Sequence, residues 1–594
     1  MCNAEPGELI ALDSEVNGAL IRRKNDFLLC LARGRAAFEW NPVVGEVDYT
    51  VRLNSADSAA DGFVETKLSG KQAQSVLDIP PHRGAISLEI LNVICPNQTE
   101  ALNAYRILGF AKVARPDLGR IIRAPTNAVT AIVALTNTTN FLRTRSSTHP
   151  AIGVQRLLIP AAMEFDVMGM DFTTNRELAI ATRKGEVWII ETPESDEVTP
   201  RMRLFARGLI QPGGLRVIDG VIYAMQGGEL TRLRDTDQDG AADFQENLTQ
   251  RWGFNGDHRA VAIGPAVDAE GFLYAFLGGN RCRWDAPFRG WSVRTDINGD
   301  EFEGIGAGFA SPTGFAELGA KRDIFVAANR NDWHLAARLD HLRLGRFYGS
   351  PASTPWPRDE FEHPGKPVAP AVWFPEEVVK SVAGLATIPT NRCGPFNGQI
   401  LVADDSGNQV LRVALEQVDG EWQGMVIPFL QNLNTTPKQM VFCQRNTLFV
   451  GGWRETASSV RKKDSGELFR VHWNEKEVFE IHSVRATSDG LEIHFTMPVA
   501  ARTVGAFNSI GLRQFDYQQP RGDDRDKKAA TSSKLISREI QYSDDRRILS
   551  LKIPGLREGF VTRIRLENFK SQSGMKLLHE TCWYTLNRFN SKLK

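Results

Sequence analysis

The spacing of hydrophobic positions along the chain is mostly that of β-strands. Short runs such as "ISLEILNVI", "RELAIATRKGEVWII" and "LEIHFTMPV" alternate in part between apolar and polar residues, and Gly, Asn, Asp or Pro bounds them. Runs with the period of an α-helix are rare. The pattern therefore predicts a mainly β protein.

A loose unit repeats through the middle of the chain. Each copy has an apolar strand, a turn and a second strand, and the copies contain "GMDFTTNRELAIAT", "GGLRVIDGVIYAM", "GPAVDAEGFLYAF", "PTGFAELGAKRDIFVA", "AGLATIPTNRCGPFNGQILVA" and "PKQMVFCQRNTLFV". These six units, unevenly spaced, predict a six-bladed β-propeller with long insertions. Radial closure suits so long an all-β region because it leaves only short strand edges.

The pattern changes on both sides of the repeats, and this predicts four segments. Residues 1–114 read as an N-terminal β-sandwich of the kind found in carbohydrate-binding domains, and residues 115–153 as a linker. The propeller is expected over residues 154–474. Clean alternation in "LEIHFTMPVA" and "RRILSLKIPGLREGFVTRIRLENF" predicts an immunoglobulin-like C-terminal sandwich over residues 475–594.

Composition narrows the function. The 594 residues have a formal net charge of zero, which argues against a generic nucleic-acid or membrane-surface binder. No apolar run is long enough to span a bilayer, and the acidic start "MCNAEPGELIALDSEV" lacks the features of a signal peptide. The seven cysteines are scattered and never spaced CxxC, which excludes a zinc ribbon, a thioredoxin motif and a c-type haem site.

The strongest chemical motif is the carboxylate-rich stretch "RDTDQDGAADFQENLTQ". It matches a twelve-residue calcium loop, in which alternating carboxylates, one main-chain carbonyl and a final bidentate Glu supply hard oxygen ligands and a glycine permits the sharp turn. The predicted metal ligands are Asp235, Asp237, Asp239, Ala241, Asp243 and Glu246.

Two readings of this stretch stay open. An acidic surface loop is the simpler alternative to calcium. The flanks "ELTRLR" and "FQENLTQ" look like strand and coil rather than two long helices, so a bound ion would be structural and not part of an EF-hand sensor. A second acidic run, "RTDINGDEFEG", is better explained as a hairpin, because Asn298-Gly299 is typical of a type I′ turn.

The segment "GFNGDHRAVAIGPAVDAEGFLYAFLGGN" resembles the glucose/sorbosone dehydrogenase propellers, soluble quinoproteins that use pyrroloquinoline quinone. "RLDHLRLGRFYGSP" and "VVKSVAGLA" are similar to further segments of that family. A looser and longer likeness, through "DTDQDGAAD", "SPTGF", "NRNDW", "GPFNGQ", "GEWQG" and "YTLN", is to bacterial multidomain propeller proteins labelled membrane-bound dehydrogenase or haem-binding. The likeness implies a periplasmic or extracellular protein.

The resemblance also assigns expected roles. It implies that His258 is the general base that takes the proton of a sugar hydroxyl, a task that suits a group whose pKa lies near neutrality. Arg183, Asn329 and Arg330 lie in loops expected to border the central channel and are the predicted cofactor-binding residues. Solvated hairpin turns are the alternative for these three, and for His258 the alternative is a histidine in a propeller loop that is satisfied by backbone groups.

Two departures from the family pattern affect the cofactor. Where the quinoproteins have "RNPxG", this chain reads "ASPTG", so Ala310 and Ser311 replace the Arg and Asn that face the quinone. Alanine cannot supply a bidentate guanidinium clamp. The sequence also contains no CxxCH, so electrons would leave through a separate acceptor.

Two functions therefore remain in competition. The first is a calcium-containing oxidoreductase acting on a sugar or aldose-type alcohol. The second is a non-catalytic propeller that binds a glycan or a protein partner. Fold kinship does not decide between them.

Overall fold

Strands form nearly all the regular structure in this computed structural model. The described residues are the strands before residue 147 and residues 149–592, apart from gaps at 158, 160–164, 175, 192–200, 254–261, 280–287, 331–333, 335, 351–366, 391–393, 434, 444–446, 455–464, 502–508 and 518–531. No α-helix occurs within these residues, and none of them belongs to a helix that could cross a bilayer. The predicted mainly β class is confirmed.

The strands are numbered in chain order. The first twenty-one are β1 (Asn3–Glu5), β2 (Ile10–Leu12), β3 (Leu20–Lys24), β4 (Phe27–Ala32), β5 (Arg35–Trp40), β6 (Glu46–Ser55), β7 (Phe63–Val64), β8 (Ser75–Asp78), β9 (Ile86–Cys95), β10 (Arg145–Ser146), β11 (Ile152–Leu157), β12 (Val167–Thr174), β13 (Glu177–Thr182), β14 (Glu186–Glu191), β15 (Arg201–Arg207), β16 (Gly214–Ile218), β17 (Val221–Met225), β18 (Leu230–Arg234), β19 (Phe244–Thr249), β20 (Ile263–Val267) and β21 (Leu273–Phe276).

The remaining strands are β22 (Trp291–Thr295), β23 (Phe302–Ala307), β24 (Pro312–Leu318), β25 (Asp323–Ala328), β26 (Ala337–His341), β27 (Arg346–Phe347), β28 (Val372–Phe374), β29 (Val382–Thr387), β30 (Ile400–Asp404), β31 (Gln409–Val418), β32 (Glu421–Leu430), β33 (Thr436–Phe442), β34 (Thr447–Arg454), β35 (Ser465–Trp473), β36 (Ile481–Ala486), β37 (Gly490–Phe495), β38 (Ile510–Asp516), β39 (Ser532–Leu535), β40 (Glu539–Tyr542), β41 (Ile548–Lys552), β42 (Phe560–Leu566) and β43 (Thr581–Leu586).

The chain forms two compact units. The smaller comprises Met1–Val133, Arg203–Ile210 and Thr231–Asn247. Its N-terminal strands make two antiparallel sheets, one ordered β1-β9-β6-β7 with β2 also on β9, the other ordered β3-β4-β5-β8. The sandwich arrangement of these two sheets stays a prediction.

The larger unit comprises Ala134–Met202, Gln211–Leu230 and Leu248–Lys594. Each of the six repeat units seen in the sequence forms an antiparallel pair, namely β12–β13, β16–β17, β20–β21, β24–β25, β29–β30 and β33–β34. The first strands of these pairs contact one another in cyclic order: β12 contacts β16, β16 contacts β20, β20 contacts β24, β24 contacts β29, and β29 contacts β33. β33 in turn contacts β12, which closes the cycle. This arrangement, called the ring below, is propeller-like.

Glycines permit the close approach of neighbouring ring strands. A Cβ on Gly169 would lie 2.5 Å from the nitrogen of Leu215, and one on Gly384 would lie 2.5 Å from the carbonyl oxygen of Lys438. These partners are backbone atoms that cannot rotate away. Glycine at these positions therefore sets how tightly the ring strands pack.

Two long-range pairings complete the larger unit. β11 lies beside β35, with Ile152 opposite Trp473, so a strand that precedes the repeats completes the sheet of the last one. At the other end of the chain, β43 pairs with β32 and continues the sheet β29-β30-β31-β32 through β43-β42-β38-β39. Both pairings cover an edge strand.

The C-terminal strands form two four-stranded groups that share a core. The order β36-β37-β41-β40 makes one sheet, and β43-β42-β38-β39 makes the other group. Alternating side chains of both, including Leu491, Ile493 and Leu512, are buried in one hydrophobic cluster. Met425 and Ile427 of β32 belong to the same cluster, so the core continues into the ring sheets.

The ring has two distinct ends. β24 and β29 run the same way, because Gly314 meets Ala383 near their starts and the Thr387 hydroxyl donates to the Glu317 carbonyl, 2.7 Å away, near their finishes. We call the end where ring strands begin the rim, and the end where they finish the floor.

Candidate functional site

The aspartate-rich stretch is a hairpin loop between β18 and β19 in the smaller unit. The amide of Asp243 donates to the carbonyl of Arg234 over 3.0 Å and closes the hairpin. Gly240 has a φ of +92°, in the left-handed region that favours glycine. The sharp turn predicted at this glycine is therefore present.

The loop gathers three of the predicted ligands. One oxygen from each of Asp235, Asp237 and Asp239 lies within 4.8 Å of the other two. The amide of Gly240 donates to Asp235 Oδ2 (2.9 Å), and the amide of Ala241 donates to Asp239 Oδ1 (2.8 Å). The second bond joins residues two apart, as in an Asx turn, and the first spans five residues, so together they fold the backbone around the carboxylates.

The other predicted ligands are not brought into this group. Both oxygens of Asp243 accept hydrogen bonds from Thr236, which lowers the pKa of Asp243. Glu246 lies on β19, where Oε2 is 2.6 Å from Arg232 Nη2 and 3.5 Å from Arg234 Nη2. Ala241 contacts the group through its backbone amide, which donates to Asp239 Oδ1.

The donor set of the loop fits a calcium ion. Asp235 Oδ1 is buried and accepts no hydrogen bond from any described residue, although a buried carboxylate oxygen normally has a partner. It belongs to a group of three hard oxygen donors, the type that Ca²⁺ prefers. Asp235, Asp237 and Asp239 would hold the ion, with main-chain carbonyls and water as further ligands.

A second polar cluster lies at the ring floor and was not predicted from the sequence. Arg216 on β16 lies between Asp171 on β12 (Nε to Oδ2, 3.6 Å) and Glu317 on β24 (Nη2 to Oε2, 3.2 Å). The amide of Val217 donates to Asp171 Oδ2 (2.8 Å), and the amide of Val267 on β20 donates to Glu317 Oε1 (3.0 Å). The floor cluster thus ties four ring strands together.

Burial and charge act against each other in this floor cluster. Burial raises the pKa of Asp171, although Arg216 and the amides of Val217 and Phe172 oppose the rise. Burial lowers the pKa of Arg216, but the attraction of Glu317 and Asp171 more than reverses this and holds it above its usual value. The charged guanidinium therefore depends on its two carboxylates.

The predicted cofactor residues lie near the rim and bind other protein groups. Arg183 Nε is 2.5 Å from Asp166 Oδ2, and Arg330 forms an exposed ion pair with Glu376. Asn329 bridges two repeats, because its Nδ2 donates to Ser381 Oγ (3.0 Å) and its Oδ1 accepts from the amide of Val382 (2.7 Å).

The predicted catalytic residue, His258, lies outside the described residues. Of the two positions where the quinoprotein pattern has Arg and Asn, Ala310 is buried and the Ser311 carbonyl accepts from the amide of Asn329 (3.0 Å). Neither Ala310 nor Ser311 therefore offers the guanidinium clamp that a quinone carboxylate needs.

The second acidic run forms the predicted hairpin between β22 and β23. Asp296 caps the turn by accepting from the amides of Asn298 (3.1 Å) and Glu301 (2.8 Å). A type I′ turn needs a positive φ at both central residues, but of the Asn298-Gly299 pair only Gly299 has one, of +82°. The turn is therefore not of type I′.

A comparison of the repeat units could have found the floor cluster. "GPA", "GFA" and "GLA" have alanine two residues after the ring glycine, whereas "GMD" and "GLR" place Asp171 and Arg216 there. A charged residue where three other units have alanine indicates a specific polar contact. The third member, Glu317, follows one residue later in its own unit.

Comparisons with known proteins give a family match over less than half of the chain, and no activity. Residues 160–419 match a family described as a domain of unknown function (DUF7133). No curated protein matches the chain.

Solved structures resemble the chain only weakly. The soluble aldose sugar dehydrogenase from Escherichia coli, in its apo form, is 14% identical over 54% of this chain and 99% of its own, with a TM-score of 0.41. The PQQ-bound aldose sugar dehydrogenase from Streptomyces coelicolor is 14% identical over 55% and 100%, with a TM-score of 0.40. A glucose dehydrogenase is 16% identical over 53% and 98%, with a TM-score of 0.42. TM-scores this low do not establish a shared fold or activity.

Proposed function

We propose that the protein is a calcium-containing six-bladed β-propeller that oxidises a sugar or aldose-type alcohol at the rim of its ring. The observation that carries the proposal is the cyclic packing of the six first strands. The segment most similar to the glucose/sorbosone dehydrogenases supplies two strands of this arrangement, β20 and β21. The flanking immunoglobulin-like and N-terminal sandwiches are part of the same proposal.

His258 is the proposed base. It precedes β20, and a neutral imidazole there would take the proton of the substrate hydroxyl while hydride leaves carbon for a two-electron acceptor. The proposed acceptor is a separate one, since Ala310 and Ser311 replace the Arg and Asn that clamp pyrroloquinoline quinone in the quinoproteins. The family likeness also supports a periplasmic or extracellular location.

An anaerobic titration tests the cofactor. The calcium-loaded protein is mixed with increasing pyrroloquinoline quinone, and absorbance is followed before and after addition of aldoses. Because Ala310 replaces the clamping arginine, we expect at most weak quinone binding, strengthened in Ala310→Arg. Tight binding by the wild type would contradict our account of the rim.

A specific observation favours the second function, a non-catalytic propeller that binds a glycan or a protein. Arg183, Asn329 and Arg330 are all bound to protein groups, and Ala310 offers no polar atom on its side chain. A protein that binds aldoses without oxidising them, with every acceptor supplied, would support this alternative against the first.

Calcium is tested separately by thermal unfolding. Ca²⁺ bound only to the folded state raises the melting temperature with its concentration. Asp239→Ala removes one carboxylate and should abolish this rise, whereas Asp296→Ala, in the second acidic turn, should leave it intact. An unchanged melting temperature with chelator and with excess Ca²⁺ would refute the metal site.

A further inference from the structure

The face of the sheet β43-β42-β38-β39 that points away from the shared C-terminal core has a row of positive charges, beside Trp583, which is buried against β28. Arg513 on β38 lies directly opposite Lys534 on β39 and directly opposite Arg563 on β42. Residues directly opposite in an antiparallel pair project from the same face. Arg565, two residues beyond Arg563, extends the row.

These cations are only partly neutralised. Arg563 Nη1 is 3.4 Å from Glu377 Oε2, and Arg565 Nε is 3.1 Å from Glu567 Oε1. Arg513 and Lys534 are exposed and form no ion pair with any described residue. We call Lys534, Arg513, Arg563 and Arg565 the cationic strip.

The sister sheet β36-β37-β41-β40 shows that the chain can neutralise such rows. There Arg485 lies opposite Glu492, and Lys552 lies opposite Glu539. Opposite charges across strands stabilise a sheet and like charges destabilise it. The like charges of the cationic strip therefore destabilise its sheet, whereas the sister sheet has no such cost. This unfavourable arrangement indicates that an external anion binds the strip.

We propose that the cationic strip binds a linear polysaccharide that carries carboxylates. Its three in-register positions on adjacent strands are spaced by about 4.8 Å, so they form an extended track across the sheet. Arginine binds carboxylate through paired, charge-assisted hydrogen bonds. Gly511, opposite Arg565, keeps the surface beside the track flat.

Overall charge favours a polysaccharide over nucleic acid. The chain has a formal net charge of zero, so no broad positive field attracts a polyphosphate backbone. The strip is therefore expected to bind only a few acidic groups of the ligand, all at one place on the sheet.

Binding of galacturonate oligomers to the full chain tests the proposal by calorimetry at low and at physiological salt. We expect binding that weakens with salt, and a loss of roughly tenfold or more in Arg513→Glu/Lys534→Glu. The control, Arg485→Glu/Lys552→Glu, changes charge equally on the sister sheet and should bind like the wild type. Arg513→Glu alone should melt above the wild type, since it faces two cations.

Every other outcome overturns the proposal in a defined way. No binding by the wild type, or an equal loss in the control, means that the strip is not a ligand site. Equal binding of methyl-esterified oligomers means that carboxylates are not recognised. Tighter binding of duplex DNA assigns the strip to a different class of partner.

Discussion

Replacing Arg216 with methionine is the most informative change at the ring floor. Methionine keeps much of the side-chain volume but leaves Asp171 and Glu317, on opposite flanks of Arg216, without their shared cation. Removing one partner of a fully buried ion pair costs about 3–5 kcal/mol. Here the three side chains retain 14–25% exposure, so water offsets part of that cost and we expect about 2 kcal/mol.

The assay is urea unfolding followed by tryptophan fluorescence and circular dichroism. A loss of about 2 kcal/mol should lower the midpoint by about 0.5 M for a domain of this size. Because burial raises the pKa of Asp171, the folded variant binds protons more readily than the unfolded chain. Its stability should therefore recover as the pH falls, because protonation removes the uncompensated charge.

The matched control replaces all three members of the floor cluster. Asp171→Asn/Arg216→Met/Glu317→Gln removes the charges together while the amides still accept from the backbone of β16 and β20. This triple variant should be more stable than Arg216→Met alone. A single variant within about 0.5 kcal/mol of the wild type, or a triple variant that is less stable, would refute the ion-pair explanation.

Three other changes test further parts of the structure. Gly384→Ala should destabilise the ring by about 2 kcal/mol or more, because its Cβ would lie 2.5 Å from the Lys438 carbonyl oxygen. Gly511→Ala, whose Cβ would come no closer than 3.6 Å to any atom, is the control in the same unfolding assay. Burial, assisted by Arg338, lowers the pKa of His334 to about 3, so the unfolded state binds the proton first and stability falls as the pH drops below about 6.5. Other buried histidines add to this fall, so between pH 7 and pH 5 His334→Gln should lose about 2 kcal/mol less stability than the wild type, measured by urea unfolding. Deleting residues 475–594 should give an aggregating protein by light scattering, because β32 loses its partner β43 and the shared core is opened; a soluble monomer would contradict this.

The strand pairs were predictable because each depends on local signals. A repeat unit contains its own apolar strand, turn and second strand, so the six pairs could be found from alternation and turn residues alone. The clustering of aspartates in the acidic loop was predictable for the same reason. Asp235, Asp237 and Asp239 are close in sequence, and only a turn at Gly240 was needed to bring their carboxylates together.

Contacts between distant segments were not predictable from these signals. Nothing in "IGVQRL" shows that β11 pairs with β35, and nothing in "TCWYTL" shows that β43 pairs with β32. The floor cluster needs residues from three repeat units to meet, and the partners of Glu246 and Arg330 come from packing rather than from motif position. A sequence motif shows which chemical groups are present, whereas the packing of neighbouring strands decides which charged groups already form ion pairs within the protein.

The most direct test of the central proposal is the initial rate of dye-linked aldose oxidation by the calcium-loaded protein, with a range of electron acceptors, compared between the wild type and His258→Gln. Our account predicts turnover by the wild type and a loss of about 100-fold or more in the variant, the usual size of a general-base contribution. Equal rates in the two proteins, or no oxidation with any acceptor, would contradict it.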